Sequence, residues 1–389
     1  KSKKLQNKRI VLGVTGSISS VETIRLAREL IRHGAHIIPV MSRSATRIIH
    51  PDALEFATGV KPIIELSGRT EHVSLCGLVK DPVDLLLICP CTANTLSKIS
   101  NGIDDTTVTT FASTAIGSGV PVIIVPSMHL SMYNHSALQK NIERCRSLGI
   151  TVIEPSILGA KAKMPDIDLI VANVIRTTED RVLDGKKILV IGGATAESID
   201  DIRIITNRSS GKTAIALATV VFEHGGIVEL WYGYSKERVP SYIPVKYFET
   251  INDLIDLIKK HKLKEYDIII ICAALPNYIP IKYPGKIPSG NKNLNISFKT
   301  APVVLKILRE KAPDTSIIAF KTEDKKYKIK KASIRILREY DLDAVIGNTT
   351  KGFGSESNEI IIIKKDGRIK TYKGKKDYLA ERIILDIIK

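Results

Sequence analysis

The sequence lacks a long apolar segment: no run approaches the roughly 20 residues that a membrane-spanning helix requires. Its basic beginning, KSKKLQNKR, leads directly into the apolar run IVLGV. It has neither the apolar core nor the small-residue cleavage site of a signal peptide. These absences argue against a membrane protein and against a secreted one, and we expect a cytoplasmic location.

Cysteine is scarce as well. The five cysteines are odd in number, scattered and mostly in apolar contexts, which argues against a disulfide framework and fits a reducing compartment. Cys89 and Cys91 stand one residue apart, with no second pair of Cys or His nearby, so a zinc site is not expected.

Two common phosphate-binding motifs are missing. The first glycine turn, GVTGSIS, lacks the full G-x-G-x-x-G pattern, and the next apolar run ends in Ser42 and Arg43 rather than in an acidic residue. Both features argue against a pyridine-nucleotide dehydrogenase. The later SSGK sequence lacks the spacing and the preceding strand of a P-loop.

The composition itself is that of a globular protein. With 389 residues, 44% hydrophobic and 25% charged, the chain is long enough for two domains. Its net charge of +17 falls mostly after Arg181. Such a basic half suits polyanionic ligands, either nucleotide phosphates or nucleic acid. No aromatic and basic RNA-binding signature accompanies the charge, so we expect no nucleic-acid partner.

The alternation of short apolar runs with amphipathic stretches indicates the fold class. Near the N-terminus and again from Asp184, an apolar run, a glycine turn, a helical pattern and a second apolar run follow one another. Short continuous apolar strands between helices are typical of buried parallel sheets. The sequence therefore predicts an α/β protein with two consecutive doubly wound, Rossmann-like domains, residues 1–183 and 184–389. Ligands should lie at the carboxyl ends of the strands.

The first half carries an ordered series of motifs. They are G-x-T-G-S-I, H-x-x-L, P-x-(S/T)-A-N-T, a D-D pair and P-x-M-x-x-x-M. In this order they resemble the flavin-dependent cysteine decarboxylases. The resemblance implies that FMN accepts electrons from the thiol of the substrate, after which carbon dioxide leaves, and that His72 is the base. It also implies that the flavin site is lined by Gly16, Ser17, Ser42, Thr92 and Asn94, with His129 where asparagine is usual.

One departure concerns proton return. The family's substrate-covering segment contains a cysteine that returns a proton, whereas this chain has EPSILGAKAKMPD there, without cysteine. Lys161, Lys163 or a water could replace it. Alternatively, the first domain binds flavin or supports oligomerisation without turnover.

The second half resembles the phosphopantothenate–cysteine ligases through GGATAESID, RIITNRSSGK, CAALPNY, GKIP and GFGSESN. The resemblance implies that Asn207 holds an acyl-nucleotide intermediate and that Lys286 stabilises the transferring phosphate. Substrate binding is implied for Ser209, Ser210, Gly211, Lys212, Cys272, Ala273, Asn277, Pro302, Val303, Val304, Leu305 and Phe320. Lys331 and Arg335 are candidates for two further phosphate-binding positions. Asn277 stands where the family has a ribose-binding aspartate.

Together the two resemblances imply a bifunctional enzyme of coenzyme A biosynthesis. Its small-molecule substrates would be 4′-phosphopantothenate, cysteine and CTP, with Mg²⁺ on the nucleotide and FMN in the first domain. CTP is favoured over ATP. The resemblance also implies a homo-oligomer, because the decarboxylases form trimers and the ligases form dimers. The alternative is a ligase whose first domain has no turnover.

Overall fold

The computed structural model describes residues 3–290, 293–350 and 357–388, and the chain divides into two compact units, Lys1–Asp180 and Arg181–Lys389. Each unit has a central β-sheet with a hydrophobic core on both faces. The predicted α/β class with two consecutive Rossmann-like domains is therefore confirmed. Within the described residues, no helix is long and apolar enough to cross a membrane.

The first unit is built on a parallel five-stranded sheet of order β2-β1-β3-β4-β6. The strands of this unit are β1 (Arg9–Val14), β2 (His36–Met41), β3 (Leu85–Cys91), β4 (Val122–Pro126), β5 (Met128–His129), β6 (Thr151–Val152), β7 (Ser156–Leu158) and β8 (Lys161–Lys163). Its helices are α1 (Thr23–Arg32), α2 (Pro51–Thr58), α3 (Glu71–Cys76), α4 (Ala93–Ser100), α5 (Thr107–Ser118), α6 (Leu130–Tyr133), α7 (Ser136–Ser147) and α8 (Ile167–Thr178).

Burial on both faces explains why the strands of this sheet are apolar throughout. In β3, Leu85 and Leu87 belong to the core on the side of α1 and α8, and Leu86 and Ile88 belong to the core on the side of α4 and α5. Successive side chains of a strand point to opposite faces, so a strand covered on both sides reads as one continuous apolar run.

A small antiparallel sheet of order β5-β8-β7 lies outside the main sheet of the first unit. β7 and β8 form a hairpin, and β8 also pairs with β5, so that His129 is the register partner of Lys161. The segment that lacks the family's cysteine is therefore an ordered hairpin next to the P-x-M motif.

The second unit has an eight-stranded sheet of order β13-β12-β9-β14-β17-β18-β19-β20. The strands of this unit are β9 (Lys187–Gly192), β10 (Ala196–Ser198), β11 (Ile204–Thr206), β12 (Ile227–Tyr232), β13 (Val245–Tyr247), β14 (Ile268–Ile271), β15 (Tyr278–Pro280), β16 (Phe298–Thr300), β17 (Ser316–Glu323), β18 (Ala344–Thr349), β19 (Ser357–Lys364) and β20 (Ile369–Lys375). The pairs β10–β11 and β15–β16 form two separate antiparallel ribbons.

The last two strands of this sheet differ from the predicted parallel arrangement. The first six strands in the sheet order, from β13 across to β18, are parallel. β19 pairs antiparallel with β18, and β20 pairs antiparallel with β19. Only four residues separate β19 from β20, and Gly367 in this turn has φ +88°. So short a connection can only reverse the chain, since a parallel pair requires a crossover of a dozen residues or more.

Helices cover both faces of the second sheet. They are α9 (Lys212–Glu223), α10 (Ile251–Lys260), α11 (Val304–Lys311), α12 (Lys326–Glu339) and α13 (Lys376–Ile388). α9 and α13 share one core through Leu217 and Ile383, and α10 and α11 pack on the opposite face through Leu254 and Leu308. A capping box between Thr250 and Asp253 begins α10.

Candidate active sites

The first site lies where the strand order of the first unit reverses, between β1 and β3. At this point the loops that follow two adjacent parallel strands lead in opposite directions and leave a crevice for a ligand. Thr15 links the two loops: its hydroxyl donates to the carbonyl oxygen of Pro90 over 2.8 Å and accepts from the N–H of Thr92 over 3.0 Å. The glycine turn and the P-x-T-A-N-T loop are thereby held as one unit.

Several predicted flavin-site residues meet at this edge of the sheet. Ser17 begins the short 3-10 helix after β1, and its hydroxyl lies 3.4 Å from that of Ser127, at the end of β4. Ser42, at the end of β2, donates its N–H to the carbonyl oxygen of Val14. A Cβ on Gly16 would come within 2.7 Å of the Cβ of Ser44, so the turn has no space for a side chain there.

Thr92 and Asn94 begin α4. Thr92 is the N-cap, and its hydroxyl accepts from the N–H of Thr95 over 3.2 Å. Asn94 is exposed in the first turn of the helix. This turn presents backbone N–H groups and the positive end of the helix dipole towards the crevice edge.

His72 lies on a different element, α3, where its ring packs edge-on against Phe111 of α5 with 6.4 Å between ring centroids. Its Nδ1 is buried and has no hydrogen-bond partner within the described residues. An unpaired buried nitrogen costs free energy and is uncommon in structural histidines, so this atom is available to a ligand or substrate.

The second site is a cleft at the corresponding reversal of strand order, between β9 and β14. Its empty space is about 640 Å³, including the part open to solvent. Seven of the predicted binding residues line it: Ser209, Ser210, Gly211, Lys212, Cys272, Ala273 and Phe320. Residues more than one hundred positions apart in the sequence thus meet at the carboxyl ends of β9, β14 and β17.

The start of α9 forms one wall of this cleft. Gly211 is its N-cap with φ +76°, and a Cβ there would lie 2.0 Å from the hydroxyl oxygen of Tyr232. Both the conformation and the space therefore require glycine. The hydroxyl of Ser209 accepts from the N–H of Gly211 over 3.4 Å. The first N–H groups of a helix have no partner within it, and they can bind an anion.

Asn207 is exposed in the loop before α9, and its side-chain amide donates to the carbonyl oxygen of Ala274 over 2.8 Å. Ala274 itself lines the cleft. Burial raises the pKa of the Cys272 thiol to about 12, which favours the protonated thiol at neutral pH.

The other predicted residues of the second unit lie outside the lining of this cleft. Lys286 and Asn277 are exposed, and the carbonyl oxygen of Asn277 accepts from the N–H of Ala301. Four predicted binding residues, 302–305, lie at the start of α11. Val304 is buried in the core and Leu305 packs against that core, whereas Pro302 and Val303 are exposed. The segment 352–356 of the GFGSESN motif falls outside the described residues.

Sequence reasoning missed several residues at both sites. Thr15 and Ser127 were not predicted in the first unit, and Thr322, Asn348 and Lys376 line the cleft of the second. Thr322 donates its hydroxyl hydrogen to the side-chain oxygen of Asn348 over 2.7 Å. Four of these residues could have been found from the sequence, because each is a polar residue at the end of an apolar strand. Lys376 has no such signal.

Comparisons with known proteins agree with this arrangement. The profile of the family described as Flavoprotein matches residues 1–179, and that of the DNA/pantothenate metabolism flavoprotein C-terminal domain matches residues 183–389. The coenzyme A biosynthesis bifunctional protein CoaBC of Thermococcus kodakarensis is 42% identical over 388 residues, covering 98% of this chain and 95% of that protein. This chain belongs to the CoaBC family. The CoaBC protein of Methanocaldococcus jannaschii is 36% identical over 395 residues, covering 99% of this chain and 94% of that protein.

Membership of the CoaBC family identifies the chain as a bifunctional enzyme of coenzyme A biosynthesis, with a flavoprotein domain of the decarboxylase type and a ligase domain. The two CoaBC relatives match over nearly their whole length, and both family profiles match this chain. The alternative of a ligase with a first domain lacking turnover is therefore not favoured.

Proposed function

We propose that the second domain joins 4′-phosphopantothenate to cysteine at the expense of CTP, and that the first domain decarboxylates the product to 4′-phosphopantetheine with FMN. The observation that carries the proposal is the cleft between β9 and β14. There the start of α9, the lysine Lys212 and the carbonyl group held by Asn207 converge on one space.

The ligation consists of two displacements. The carboxylate oxygen of 4′-phosphopantothenate attacks the α-phosphorus of CTP, and pyrophosphate leaves. The amine of cysteine then attacks the acyl carbon, loses a proton, and CMP leaves. Negative charge moves onto phosphate oxygens in both steps, and the N–H groups at the start of α9 and the ammonium group of Lys212 are placed to stabilise it.

Within the described residues no group of three or more His, Cys, Asp or Glu side chains could hold a metal ion. We therefore propose that Mg²⁺ enters with the triphosphate, whose oxygens supply most of its ligands. We assign no protein ligand to the ion. Lys286 is exposed and outside the lining of the cleft, and its part in stabilising the transferring phosphate stays a prediction.

The first site fits a flavin mononucleotide. The crevice lies at the β1/β3 switch point, the place at which sheets of this strand order bind FMN. We propose that the hydroxyl groups of Ser17, Ser42 and Thr92 and the backbone around Gly16 hold it. Bound FMN would accept the two electrons of the thiol oxidation and return them to the oxidised enethiol after carbon dioxide has left, so that the overall reaction is redox-neutral. His72 takes up the thiol proton through its unpaired Nδ1, and His129 donates to the carboxylate of the substrate.

The proton that returns to the product requires a donor in place of the missing cysteine. We propose Lys161, because register partners in an antiparallel pair lie on the same face of the sheet, and Lys161 is the partner of His129. Lys163 is not among the residues of β8 that pair with β5. We also propose that the chain forms a homo-oligomer.

The test is a product analysis. Purified protein with FMN and Mg²⁺ is incubated with 4′-phosphopantothenate, cysteine and CTP, and the products are identified by mass spectrometry. Release of 4′-phosphopantetheine, CMP and pyrophosphate is expected. Accumulation of 4′-phosphopantothenoylcysteine would contradict the decarboxylase assignment. No product with either CTP or ATP would contradict the ligase assignment, and supplied 4′-phosphopantothenoylcysteine then tests the decarboxylase by itself.

A further inference from the structure

Lys376 is the first residue of α13 and lines the cleft opposite the start of α9. It is brought there by the packing of α13 against α9, in which Leu379 and Ile383 share a core with Leu217. More than 160 residues separate Lys376 from Lys212 in the sequence, yet both lysines face the same space.

The two lysines interact electrostatically. Burial lowers the pKa of Lys376, the positive charge of Lys212 lowers this pKa further, and Glu237 acts in the opposite direction. Glu237 is also the ion-pair partner of Lys212, with 3.6 Å between Nζ and Oε1. The Glu237 carboxylate thus interacts with the ammonium groups of both Lys212 and Lys376. Lys212 is also the first residue of α9, at the positive end of the helix dipole.

This arrangement is unfavourable without an anion. Within the described residues Lys376 makes no ion pair and no hydrogen bond, although the residue is partly buried. Holding a partly buried ammonium group near a second one costs free energy, which a bound dianion would recover through charge-assisted hydrogen bonds.

We propose that Lys376 and Lys212 together form a two-lysine clamp that binds a phosphate group of a substrate at the start of α9. The proposal rests on the ligase function given above and adds Lys376 to its binding residues. The phosphate comes either from the nucleoside triphosphate, whose pyrophosphate then leaves from the clamp, or from the phosphorylated acid.

The experiment measures binding and turnover separately on the full chain. Inorganic pyrophosphate is titrated calorimetrically into the wild type, Lys376→Met, Lys376→Arg and the control Lys375→Met. Lys375 is the preceding residue, exposed and outside the cleft lining. KM values for CTP and for 4′-phosphopantothenate are measured on the same proteins, and melting temperatures establish that each is folded.

We expect Lys376→Met to weaken pyrophosphate binding by about ten- to hundredfold, the range for loss of a hydrogen bond between charged groups. Lys376→Arg should retain most of the affinity, and Lys375→Met should change it less than about twofold, as for an exposed charge outside the site. A rise in the KM of CTP would assign the phosphate to the nucleotide, and a rise only in that of the acid would assign it to the acid.

Unchanged pyrophosphate affinity and unchanged KM values in folded Lys376→Met would overturn the clamp and leave the ligase function standing. A wild type that binds none of pyrophosphate, CTP and 4′-phosphopantothenate would also overturn it. If Lys376→Met weakens pyrophosphate binding but the wild type forms no ligation product, the clamp stands and the proposed function fails.

Discussion

The side-chain amide of Asn207 donates a hydrogen bond to the backbone carbonyl oxygen of Ala274, with 2.8 Å between nitrogen and oxygen. This contact ties the loop before α9 to the end of β14, across the point at which the strand order of the second sheet reverses. It fixes the distance between the two walls of the cleft and places an amide at its rim.

Replacing Asn207 by Asp should abolish ligation with little effect on folding. The new carboxylate cannot donate to the carbonyl oxygen of Ala274 and would repel both it and a phosphorylated substrate. We expect kcat/KM for ligation to fall by about a hundredfold or more, as for loss of a donor that stabilises a developing anion. Decarboxylation of supplied 4′-phosphopantothenoylcysteine is the internal control, and its loss would contradict the separate assignment of the two sites.

The variant His72→Asn should lose decarboxylation and retain ligation. An asparagine amide keeps polar atoms at this position but cannot take up a proton, so the rate should fall by about 10²- to 10⁴-fold, the usual contribution of a general base. The measurement follows carbon dioxide release together with flavin absorbance. Retained flavin shows that the crevice is intact.

His36→Asn, at an exposed position at the start of β2, is the matched control for His72→Asn and should leave both activities unchanged. Equal loss of decarboxylation in the two variants would argue against His72 as the base.

Lys161→Met should impair product formation in the first domain while flavin reduction by the substrate persists. If Lys161 supplies the returning proton, the oxidised enethiol should accumulate and be detected by mass spectrometry. Lys163→Met, on the same hairpin, is the control and should form 4′-phosphopantetheine normally. The opposite result would assign the proton to Lys163, and no effect of either change would leave water as its source.

Gly211→Ala should destabilise the second unit and damage the ligase. The added Cβ would lie 2.0 Å from the hydroxyl oxygen of Tyr232, and φ is +76°. We expect the free energy of unfolding to fall by about 2–4 kcal/mol through strain and overpacking. Gly367→Ala has a similar φ of +88° but no atom within 4 Å of the Cβ. It should cost only about 1 kcal/mol, so thermal unfolding of the two variants separates crowding from backbone strain.

The stability of the second unit should depend on pH through the ionisation of Asp200. Burial alone would raise the pKa of this carboxyl group, but N–H groups of Ile287, Ile202 and Arg203 and the charge of Arg203 outweigh burial and lower the pKa to about 2. The folded pKa is below the unfolded one of about 3.9. This stabilisation is therefore present in full above pH 4 and is lost as the pH falls towards 2.

The difference in melting temperature between wild type and Asp200→Asn should accordingly be largest near neutral pH and shrink towards pH 2. Asp201→Asn is the control, because the Asp201 carboxylate pairs only with the exposed Lys282 in the described contacts. A difference that does not change with pH would show that the carboxylate charge has no part in the effect.

The local sequence determined the α/β class and the approximate position of each site. Continuous apolar strands followed by glycine turns predict parallel sheets buried on both faces, and polar motifs after those strands predict ligand sites at their carboxyl ends. The thiols of Cys89 and Cys91 belong to the buried faces of β3, as an apolar context suggests. The antiparallel β19–β20 pair was missed because β20, IKTYKGK, is mostly polar and exposed and has no continuous apolar run that would mark it as a strand.

Only the tertiary structure decided which side chains share a space. The link from Thr15 to Pro90, the hydrogen bond from Asn207 to Ala274 and the approach of Lys376 to Lys212 all join segments far apart in the chain. Local pattern cannot reveal such contacts, since they depend on strand order and on how helices pack across a sheet. The sequence thus determined the kinds of groups available, and the fold decided which of them can act on the same ligand.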